Sequence, residues 1–263
     1  MAGSAGRGSA VAELVSGLEA QQVRANLAEV RERIAAAAGR AGRDPADVEI
    51  VAAVKYVAPE ELGVLAQAGV SVVGENRAQD LERKVADYGD DFTWDFIGHL
   101  QSRKVKQIAP LVRLIHSVCT DSVLAQLERH APPGLRVLIE VNVAGEDAKS
   151  GVAPADLDAF LERAPVPVAG LMTMPPLARE PQDSRRWFAA LRELAQARGL
   201  RELSMGTTQD YEVAVEEGAT LVRIGTSLYR TLPGTGTLPG TGTLPSTGTG
   251  KQEGERASRS NLP

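Results

Sequence analysis

The sequence predicts an α/β fold, a (β/α)8 barrel, from three observations. The chain has 263 residues, close to the roughly 250 residues that such barrels need. Eight short, apolar, strand-like runs alternate with helix-like segments, and this alternation predicts parallel strands with crossover helices. Runs such as VLIEVNV are nearly continuously apolar, as strands buried on both faces are. An open doubly wound sheet would show the same alternation and remains the alternative fold.

The elements follow one another in order after an opening helix. Residues 21–39 carry apolar side chains at a spacing of three to four residues and end at Gly39, which predicts a helix. The strand-like runs are residues 48–55, 70–76, 92–100, 113–119, 135–143, 166–174, 201–206 and 219–226. The helical segments between them are residues 59–69, 78–89, 103–112, 121–131, 154–164, 183–199 and 211–218.

The two ends of the chain differ in composition from its middle. Residues 1–17 are rich in Gly, Ser and Ala and predict a flexible N-terminal extension. From Thr231 the chain reads TLPGTG, TLPGTG, TLPSTG and then a polar tail, which predicts a disordered Pro/Gly/Thr repeat segment over residues 231–263. The LPxTG strings are similar to sorting signals of cell-wall proteins, but no export signal accompanies them. The predicted folded domain is residues 18–230.

Composition and charge exclude several classes of function. The net charge is −5 and the pI is about 5.4, which argues against nucleic acid or an anionic membrane as a partner, since both attract basic surfaces. One cysteine excludes an internal disulfide, and three histidines make a histidine-built metal site unexpected. No apolar run reaches the roughly 18 residues of a membrane span. We therefore expect a cytoplasmic protein that binds a small molecule.

The ends of the predicted strands hold the candidate chemistry, because barrel active sites gather at the C-terminal strand ends. Lys55 ends the first strand, after an apolar run in which a lysine is costly to desolvate. A desolvated lysine has a lowered pKa and acts as a nucleophilic amine, as Schiff-base chemistry with a carbonyl requires. Alternatively, Lys55 extends from the barrel mouth into solvent. Neither a carboxylate pair nor a His–Asp cluster is found among these strand ends, so hydrolysis and metal catalysis are not indicated.

The last two strands end in SMGTTQD and RIGTS, which are rich in glycine and hydroxyl groups. The loops after strands seven and eight are the common phosphate site of this fold. Gly206 and Gly225 would let the backbone approach an anion closely. The hydroxyl groups that would donate hydrogen bonds to it belong to Ser204, Thr207, Thr208 and Thr226. A lysine that traps carbonyls and a phosphate site in one barrel together indicate pyridoxal 5′-phosphate (PLP).

Arg223 lies inside the eighth strand, two residues before Gly225. Its charge should point into the barrel, where it needs a partner. One interpretation is an ion pair with an interior carboxylate such as Glu140. The other is a hydrogen bond to the pyridine nitrogen of the cofactor. Because arginine stays protonated, it would keep that nitrogen unprotonated and weaken the ring as an electron sink, which disfavours transaminase chemistry.

Eight stretches between residues 48 and 230 carry a family resemblance. They are VAAVKYVAPEEL, GVSVVGENRAQD, WDFIGHLQSRKVKQI, IHSVCTDS, LIEVNVAGEDAKSGV, GLMTM, ELSMGTTQDYEVAVEEG and TLVRIGTSLYR. The combination of FIGHLQSRK, KSGV and VRIGT is highly specific. Through these motifs the chain resembles the YggS/PROSC-type PLP homeostasis proteins, in family order across nearly the whole predicted domain.

The resemblance implies a barrel similar to the N-terminal domain of alanine racemase, with PLP bound as a Schiff base on Lys55. It also implies the remaining cofactor-binding residues: the phosphate around Ser204, Met205, Gly206, Gly225 and Thr226, the ring nitrogen near Arg223, and the pocket wall at Asn76 and His99. Two departures from the family pattern stand out. The chain reads SMGTTQD where the family usually reads SMGMS, and Thr208 keeps a hydroxyl for the phosphate. The chain also reads WDFIG where the family usually reads WHFIG, which places Asp95 at the position of a histidine.

The function that the resemblance implies is intracellular PLP homeostasis, with PLP carried and no catalytic activity expected. PLP-dependent apo-enzymes are implied recipients, and a monomer is the expected state. A PLP-dependent amino-acid racemase is the alternative, but racemisation needs two opposed acid–base groups, and Tyr56 should point away from its neighbour Lys55. An interaction scaffold with an unused site is a third hypothesis. Lys149 is either near the cofactor entrance or a solvated loop residue, and Cys119 is interpreted as a small buried hydrophobe.

Overall fold

The computed structural model describes residues 14–146 and 149–230, whose strands form a closed barrel. All eight strands are parallel and hydrogen-bonded in sequential order, and β8 pairs with β1. This closure confirms the predicted (β/α)8 barrel and contradicts the open doubly wound sheet. The strands are β1 (Glu49–Ala53), β2 (Val72–Glu75), β3 (Thr93–Phe96), β4 (Leu114–Val118), β5 (Arg136–Glu140), β6 (Val168–Met172), β7 (Glu202–Thr207) and β8 (Leu221–Ile224).

Helices cover the outside of the barrel between the strands. An opening helix precedes β1, and a short helix follows β8. The helices are α1 (Ala20–Arg40), α2 (Leu62–Gln67), α3 (Ala78–Tyr88), α4 (Val105–Ile108), α5 (Asp121–His130), α6 (Leu157–Glu162), α7 (Arg185–Gln196), α8 (Tyr211–Glu216) and α9 (Thr226–Tyr229).

Two elements differ from the sequence prediction for local reasons. The helix predicted over residues 103–112 is only the four-residue α4 between two 3₁₀ turns. Pro110 lies in the second turn, where its missing N–H cannot continue the helical ladder. Strand β1 ends at Ala53, so Lys55 lies in a turn beyond the strand and not at its last position.

The barrel is packed on both of its surfaces, but its interior is partly polar. A large apolar core lies between the strands and the helices. A smaller apolar cluster fills the interior and consists of Val51, Val72, Leu114, Leu138, Met172 and Leu221. The buried polar side chains on these strands and their neighbours include Asp95, His116, Ser204 and Arg223. Buried polar groups need internal partners, so this part of the interior must be hydrogen-bonded.

Glycine lets the loop after β3 approach the end of β2. A Cβ on Gly98 would lie 2.1 Å from the carbonyl oxygen of Asn76, far inside van der Waals contact. Any other residue at this position would therefore push the two strand ends apart. The close approach fixes the backbone of His99 relative to Asn76, two residues that the sequence assigns to one pocket.

The residues before α1 contact the turn that contains Lys55. The N–H of Val15 donates to the Tyr56 carbonyl at 2.6 Å, and the Ala58 N–H donates to the Val15 carbonyl at 3.2 Å. The carboxylate of Glu61 accepts two backbone N–H groups just ahead of α1. Contacts to the barrel therefore begin on the N-terminal side of the predicted domain boundary.

The remaining statements about the chain ends stay predictions. The flexibility predicted for the first 13 residues and the disorder predicted for residues 231–263 lie outside the described residues. Within the part of the chain that the structure describes, the helices are too short or too polar to cross a membrane.

Candidate functional site

A cavity of about 630 Å³ opens at the C-terminal ends of β5 to β8. Its wall includes Gly206 and Arg223 from the predicted site, together with Glu140, Lys149 and Asp210. The segment after β6 closes one side with Met174 and Leu177, whose side chains are exposed. Two of the predicted cofactor residues thus face a single cavity, at the end of the barrel where this fold carries its chemistry.

Lys55 is exposed in the turn after β1. Its Nζ lies 4.5 Å from the centroid of the Tyr56 ring, within cation–π distance. The structure therefore favours the solvent-facing interpretation of Lys55 over the desolvated one. It also contradicts the expectation that Tyr56 points away, because the alternation of side chains in a strand does not extend into this turn.

A buried ion pair that the sequence analysis did not predict joins the ends of β1 and β2. Lys84 of α3 donates through Nζ to the Glu75 carboxylate and to the Val54 carbonyl, both at 2.6 Å. Lys84 is 2% exposed and Glu75 is 0% exposed. Since Val54 precedes Lys55 and Glu75 precedes Asn76, this pair fixes the backbone on which two predicted site residues stand.

Asn76 and His99 lie at the ends of β2 and β3, as predicted. The second oxygen of Glu75 accepts the N–H of Asn76 at 2.6 Å, which holds this backbone in place. The Oδ1 atom of Asn76 is buried and has no hydrogen-bond partner among the described residues. His99 is exposed. Asn76 therefore offers a polar side-chain atom to a ligand, and His99 stands in solvent at the rim.

The loops after β7 and β8 are joined by the hydroxyl that this sequence retains at Thr208. Thr208 accepts the N–H of Gly225 at 3.2 Å. Gly206 has a φ of +88°, and a Cβ there would lie 2.5 Å from the Ala214 Cβ and 2.9 Å from the Tyr211 Cα. Gly206 is thus required both by its left-handed backbone and by the close approach of α8.

Gly225 and Thr226 complete this region on the β8 side. A Cβ on Gly225 would meet only Ala53, at ordinary distances of 3.7 to 3.8 Å. Packing within the chain therefore does not explain a glycine at 225, whereas access of a ligand to the backbone would. Thr226 is exposed at the first position of α9.

Arg223 is buried and held by four hydrogen bonds. Its Nη1 donates to the carbonyl and hydroxyl oxygens of Ser204, at 2.8 and 2.5 Å. Its Nη2 donates to the Thr173 carbonyl at 3.0 Å and to the Met174 sulfur at 2.9 Å. Burial lowers the pKa of Arg223 to about 10, which leaves the guanidinium protonated at neutral pH.

The alternative partner for Arg223 suggested by the sequence does not bond to it. Glu140 accepts instead from the Ser150 hydroxyl at 2.7 Å. It acts on Arg223 only through longer-range attraction, which opposes the effect of burial on the pKa of the guanidinium. An ion pair between the two side chains is therefore the wrong interpretation of the interior arginine.

Ser204 and Met205 point to opposite faces of β7. The Ser204 hydroxyl lies inside the barrel between Arg223 and His116, and the Met205 side chain belongs to the outer core. Only the backbone of Met205 can take part in a site at the mouth. The Ser204 side chain acts within the barrel interior, next to the guanidinium.

Behind Arg223, a second buried cluster contains Asp95, the residue that departs from the family pattern. Asp95 accepts from Arg113 Nε at 2.9 Å and lies 3.2 Å from His116 Nε2. Burial opposes the charge on Asp95, but hydrogen bonds from His116 and Arg113 outweigh it and hold the pKa of this carboxyl below its usual value. Burial lowers the pKa of His116, so this imidazole is neutral at neutral pH.

Acidification from about pH 8 to about pH 5 is expected to destabilise the apo-protein through His116. The ordinary pKa is 6.5 and burial lowers it in the folded state, so below about pH 6.5 the unfolded chain binds more protons. The free energy of unfolding therefore keeps its full value above pH 6.5 as far as His116 is concerned. It decreases as the pH falls below 6.5, by at most about 1.4 kcal/mol per pH unit for one proton. Urea unfolding across this range measures the slope.

The matched variants for this experiment are His116→Asn and His99→Asn. The first removes the buried imidazole and should flatten the dependence on pH, and the second changes an exposed histidine and should leave it unaltered. An equal slope in the His116→Asn protein would contradict the neutral, buried imidazole.

Two secondary predictions about single residues are also answered. Burial raises the pKa of the Cys119 thiol to about 11, and this partly buried side chain packs against the outer core, as predicted for a small hydrophobe. Lys149 is exposed and pairs with Glu146 at 2.7 Å while lining the mouth cavity. Lys149 is therefore a solvated loop lysine on the wall of the mouth cavity, and its place near the cofactor entrance stays a prediction.

Comparison with known sequences supports the resemblance of the motifs. The profile of the family described as alanine racemase, N-terminal domain, matches residues 20–233. The pyridoxal phosphate homeostasis protein of Aquifex aeolicus is 42% identical over 217 residues, which cover 77% of this chain and 95% of that protein. The protein of the same name from Pseudomonas aeruginosa is 40% identical over 214 residues, covering 78% of this chain and 93% of that protein.

Solved structures give the same picture of the fold. PipY from Synechococcus elongatus, solved with PLP bound, has a TM-score of 0.66 at 30% identity, over 79% of this chain and 100% of that chain. Alanine racemase from Corynebacterium glutamicum has a TM-score of 0.60 over 84% of this chain and 63% of that chain, but at 15% identity this likeness shows the fold alone. The chain therefore belongs to the family of pyridoxal phosphate homeostasis proteins, built on the alanine racemase N-terminal barrel.

Proposed function

We propose that this chain binds PLP at the mouth of its barrel and serves intracellular PLP homeostasis without turning over a substrate. One observation carries the proposal: the buried, protonated Arg223 faces the same cavity as Gly206. A cation and a glycine loop on the wall of one cavity suit a ligand with a basic ring nitrogen and a phosphate. The names of the relatives and the PLP bound to PipY support this choice of ligand.

The residues at the mouth fit PLP in their donor chemistry. Gly206 lines the cavity, Gly225 leaves its Cβ side open to an approaching anion, and Thr208 holds their two loops together. Asn76 presents a buried oxygen without a partner among the described residues. Arg223 holds one of its N–H groups only on the Met174 sulfur, a weak acceptor.

The role of each residue follows from this chemistry. PLP supplies an aldehyde carbon, and the attack of a lysine amine on it forms a Schiff base and releases one water molecule. Lys55 would provide the amine, and its exposure lets solvent take the proton that the ammonium must lose. Arg223 would donate to the ring nitrogen, and the loops at Gly206 and Gly225 would hold the phosphate with backbone N–H groups.

A racemase is the second candidate, and Tyr56, Tyr211 and Tyr229 do not favour it. Racemisation needs a second acid–base group opposed to the lysine. Tyr56 contacts Lys55 directly and so lies beside it. Tyr211 and Tyr229 are buried, and burial raises the pKa of both hydroxyls, which weakens them as acids at neutral pH.

The finer aspects of the proposal concern where and how PLP is exchanged. An exposed lysine at an open mouth favours exchange with solvent, as a carrier that supplies apo-enzymes requires. We place this exchange in the cytoplasm and assign it to a monomer. Size-exclusion chromatography with light scattering tests the monomer, and transfer of PLP to a purified apo-enzyme tests the exchange.

The deciding experiment is reconstitution with PLP followed by reduction. A visible absorption band that bleaches with borohydride, with the reduced adduct mapped by peptide mass spectrometry to Lys55, is the expected result. Assay of amino-acid racemisation on the same sample separates the carrier from the enzyme. A protein that stays colourless and unmodified at saturating PLP would overturn the proposed function.

A further inference from the structure

Four buried polar side chains form a continuous hydrogen-bonded chain across the barrel interior. Asp95 Oδ2 lies 3.2 Å from His116 Nε2, and His116 Nδ1 lies 2.8 Å from Ser204 Oγ. Ser204 Oγ in turn accepts from Arg223 Nη1 at 2.5 Å. None of the four residues is more than 6% exposed. They come from β3, β4, β7 and β8, so barrel closure alone brings them together.

The hydrogen bonds of this chain have only one consistent direction. Asp95 is an anion that can only accept, so the neutral imidazole of His116 must carry its proton on Nε2. Nδ1 is then an acceptor, and the Ser204 hydroxyl must donate its single proton to it. The lone pairs of Ser204 Oγ are left to accept from Arg223. The charge on Asp95 thereby determines which way the hydroxyl beside the guanidinium points.

We propose that Asp95 and His116 are positioning residues that fix the orientation of Arg223 toward the ring nitrogen of PLP, by setting the direction of the Ser204 hydroxyl. This inference rests on the proposed function only for the identity of the ring. The orientation of the hydrogen-bonded chain itself is a property of the apo-protein and can be tested there.

The contacts of Asp95 on the side away from His116 explain how its buried carboxylate is tolerated. Arg113 donates to both oxygens of Asp95, at 2.9 and 3.2 Å, and also forms an ion pair with Glu49. Asp95 is 0% exposed, whereas the side chains of Arg113 and Glu49 are 31% and 40% exposed. A charge that would be costly to bury alone is therefore balanced by a cation that reaches solvent.

Asp95→Asn should reverse the direction of these hydrogen bonds, although asparagine has nearly the same shape as aspartate. Arg113 Nε has no other acceptor among the described residues and keeps an oxygen at the Oδ1 position, whereas Arg113 Nη2 loses Oδ2 but still donates to Glu49. The new NH₂ group therefore lies opposite His116 Nε2. The imidazole must then accept there and carry its proton on Nδ1. Ser204 receives a donor from both sides, and its own proton has lost its acceptor, a buried mismatch that loosens the hold on Arg223.

The experiment compares Asp95→Asn with the matched control Glu49→Gln, which changes the exposed end of the same network. ¹⁵N NMR of the histidine side chains in the apo-proteins reports the tautomer of His116. We expect a proton on Nε2 in wild type and in Glu49→Gln, and on Nδ1 in Asp95→Asn. After reconstitution, Asp95→Asn should bind PLP about tenfold more weakly, with a shifted absorption maximum, and Glu49→Gln should match wild type.

Each outcome bears on a defined part of the inference. A proton on Nδ1 in wild type, or a switched tautomer in Asp95→Asn with unaltered PLP affinity and spectrum, would overturn it. If Asp95→Asn does not fold, Ser204→Ala takes its place, with the same loss of affinity and shift expected while His116 keeps its Nε2 proton. Absence of any adduct in wild type would overturn the proposed function instead, and the tautomer measurement would still decide the direction of the chain.

Discussion

The Lys55→Ala protein is expected to form no borohydride-stable adduct and to lose the Schiff-base absorption band of the reconstituted protein completely. The reason is chemical, since the substitution removes the only amine that the proposal assigns to the PLP carbonyl. Noncovalent PLP should remain at Arg223 and the phosphate loops with reduced affinity, because those contacts do not involve the lysine. Absorbance after gel filtration, followed by reduction and peptide mapping, measures the loss.

The control for this variant is a second exposed lysine, one that the proposal does not place in the PLP site. Lys106→Ala removes an exposed amine on α4 and should retain the full band. Both variants should unfold within about 0.5 kcal/mol of wild type, since exposed side chains contribute little to stability. A full band in Lys55→Ala with the adduct on another residue would show that Lys55 is not the attachment site.

Lys84→Met is expected to lower the free energy of unfolding by about 3–5 kcal/mol, the usual effect of removing one partner of a buried ion pair. The substitution leaves the Glu75 carboxylate buried without its cation and the Val54 carbonyl without its donor. Methionine has a similar length, so the loss reflects charge and hydrogen bonding more than volume. Urea unfolding of the apo-protein at neutral pH measures the change.

Two further variants separate this effect from a general weakness of α3. Arg83→Met alters the neighbouring, exposed side chain of the same helix and should change stability by less than about 0.5 kcal/mol. The double variant Lys84→Met with Glu75→Gln removes the stranded charge and should recover part of the loss. A loss below about 1 kcal/mol in Lys84→Met would mean that the pair does not hold the strand ends together.

The fold was predictable because each of its elements follows a local pattern. Short apolar runs and amphipathic segments alternate along the sequence, and closure needs only the repetition of this unit. Positions within elements were predictable by the same means: Arg223 in an apolar strand had to face the interior. The strand boundaries were less accurate, and Lys55 lies in a turn because β1 ends two residues earlier than its apolar run.

The interior of the site was not predictable, because its contacts join distant parts of the chain. His116 shares the inward parity of Leu114 on β4, which was a usable signal, but its partners Asp95 and Ser204 are set by barrel closure. Lys84 follows Leu81 by three residues and so falls on the buried stripe of α3, where a lysine indicates an internal partner. Its partner Glu75 could have been inferred only with the helix already docked on the barrel.

The burial of Cys119 makes this chain a suitable background for site-specific labelling. A thiol with a pKa of about 11 is ionised at pH 7 only to about one part in ten thousand, whereas an ordinary exposed cysteine is ionised to a few per cent. A maleimide dye should therefore react with a cysteine introduced at the exposed position 106 hundreds of times faster than with the native thiol. Such a label would have one defined attachment point without removing the native cysteine first.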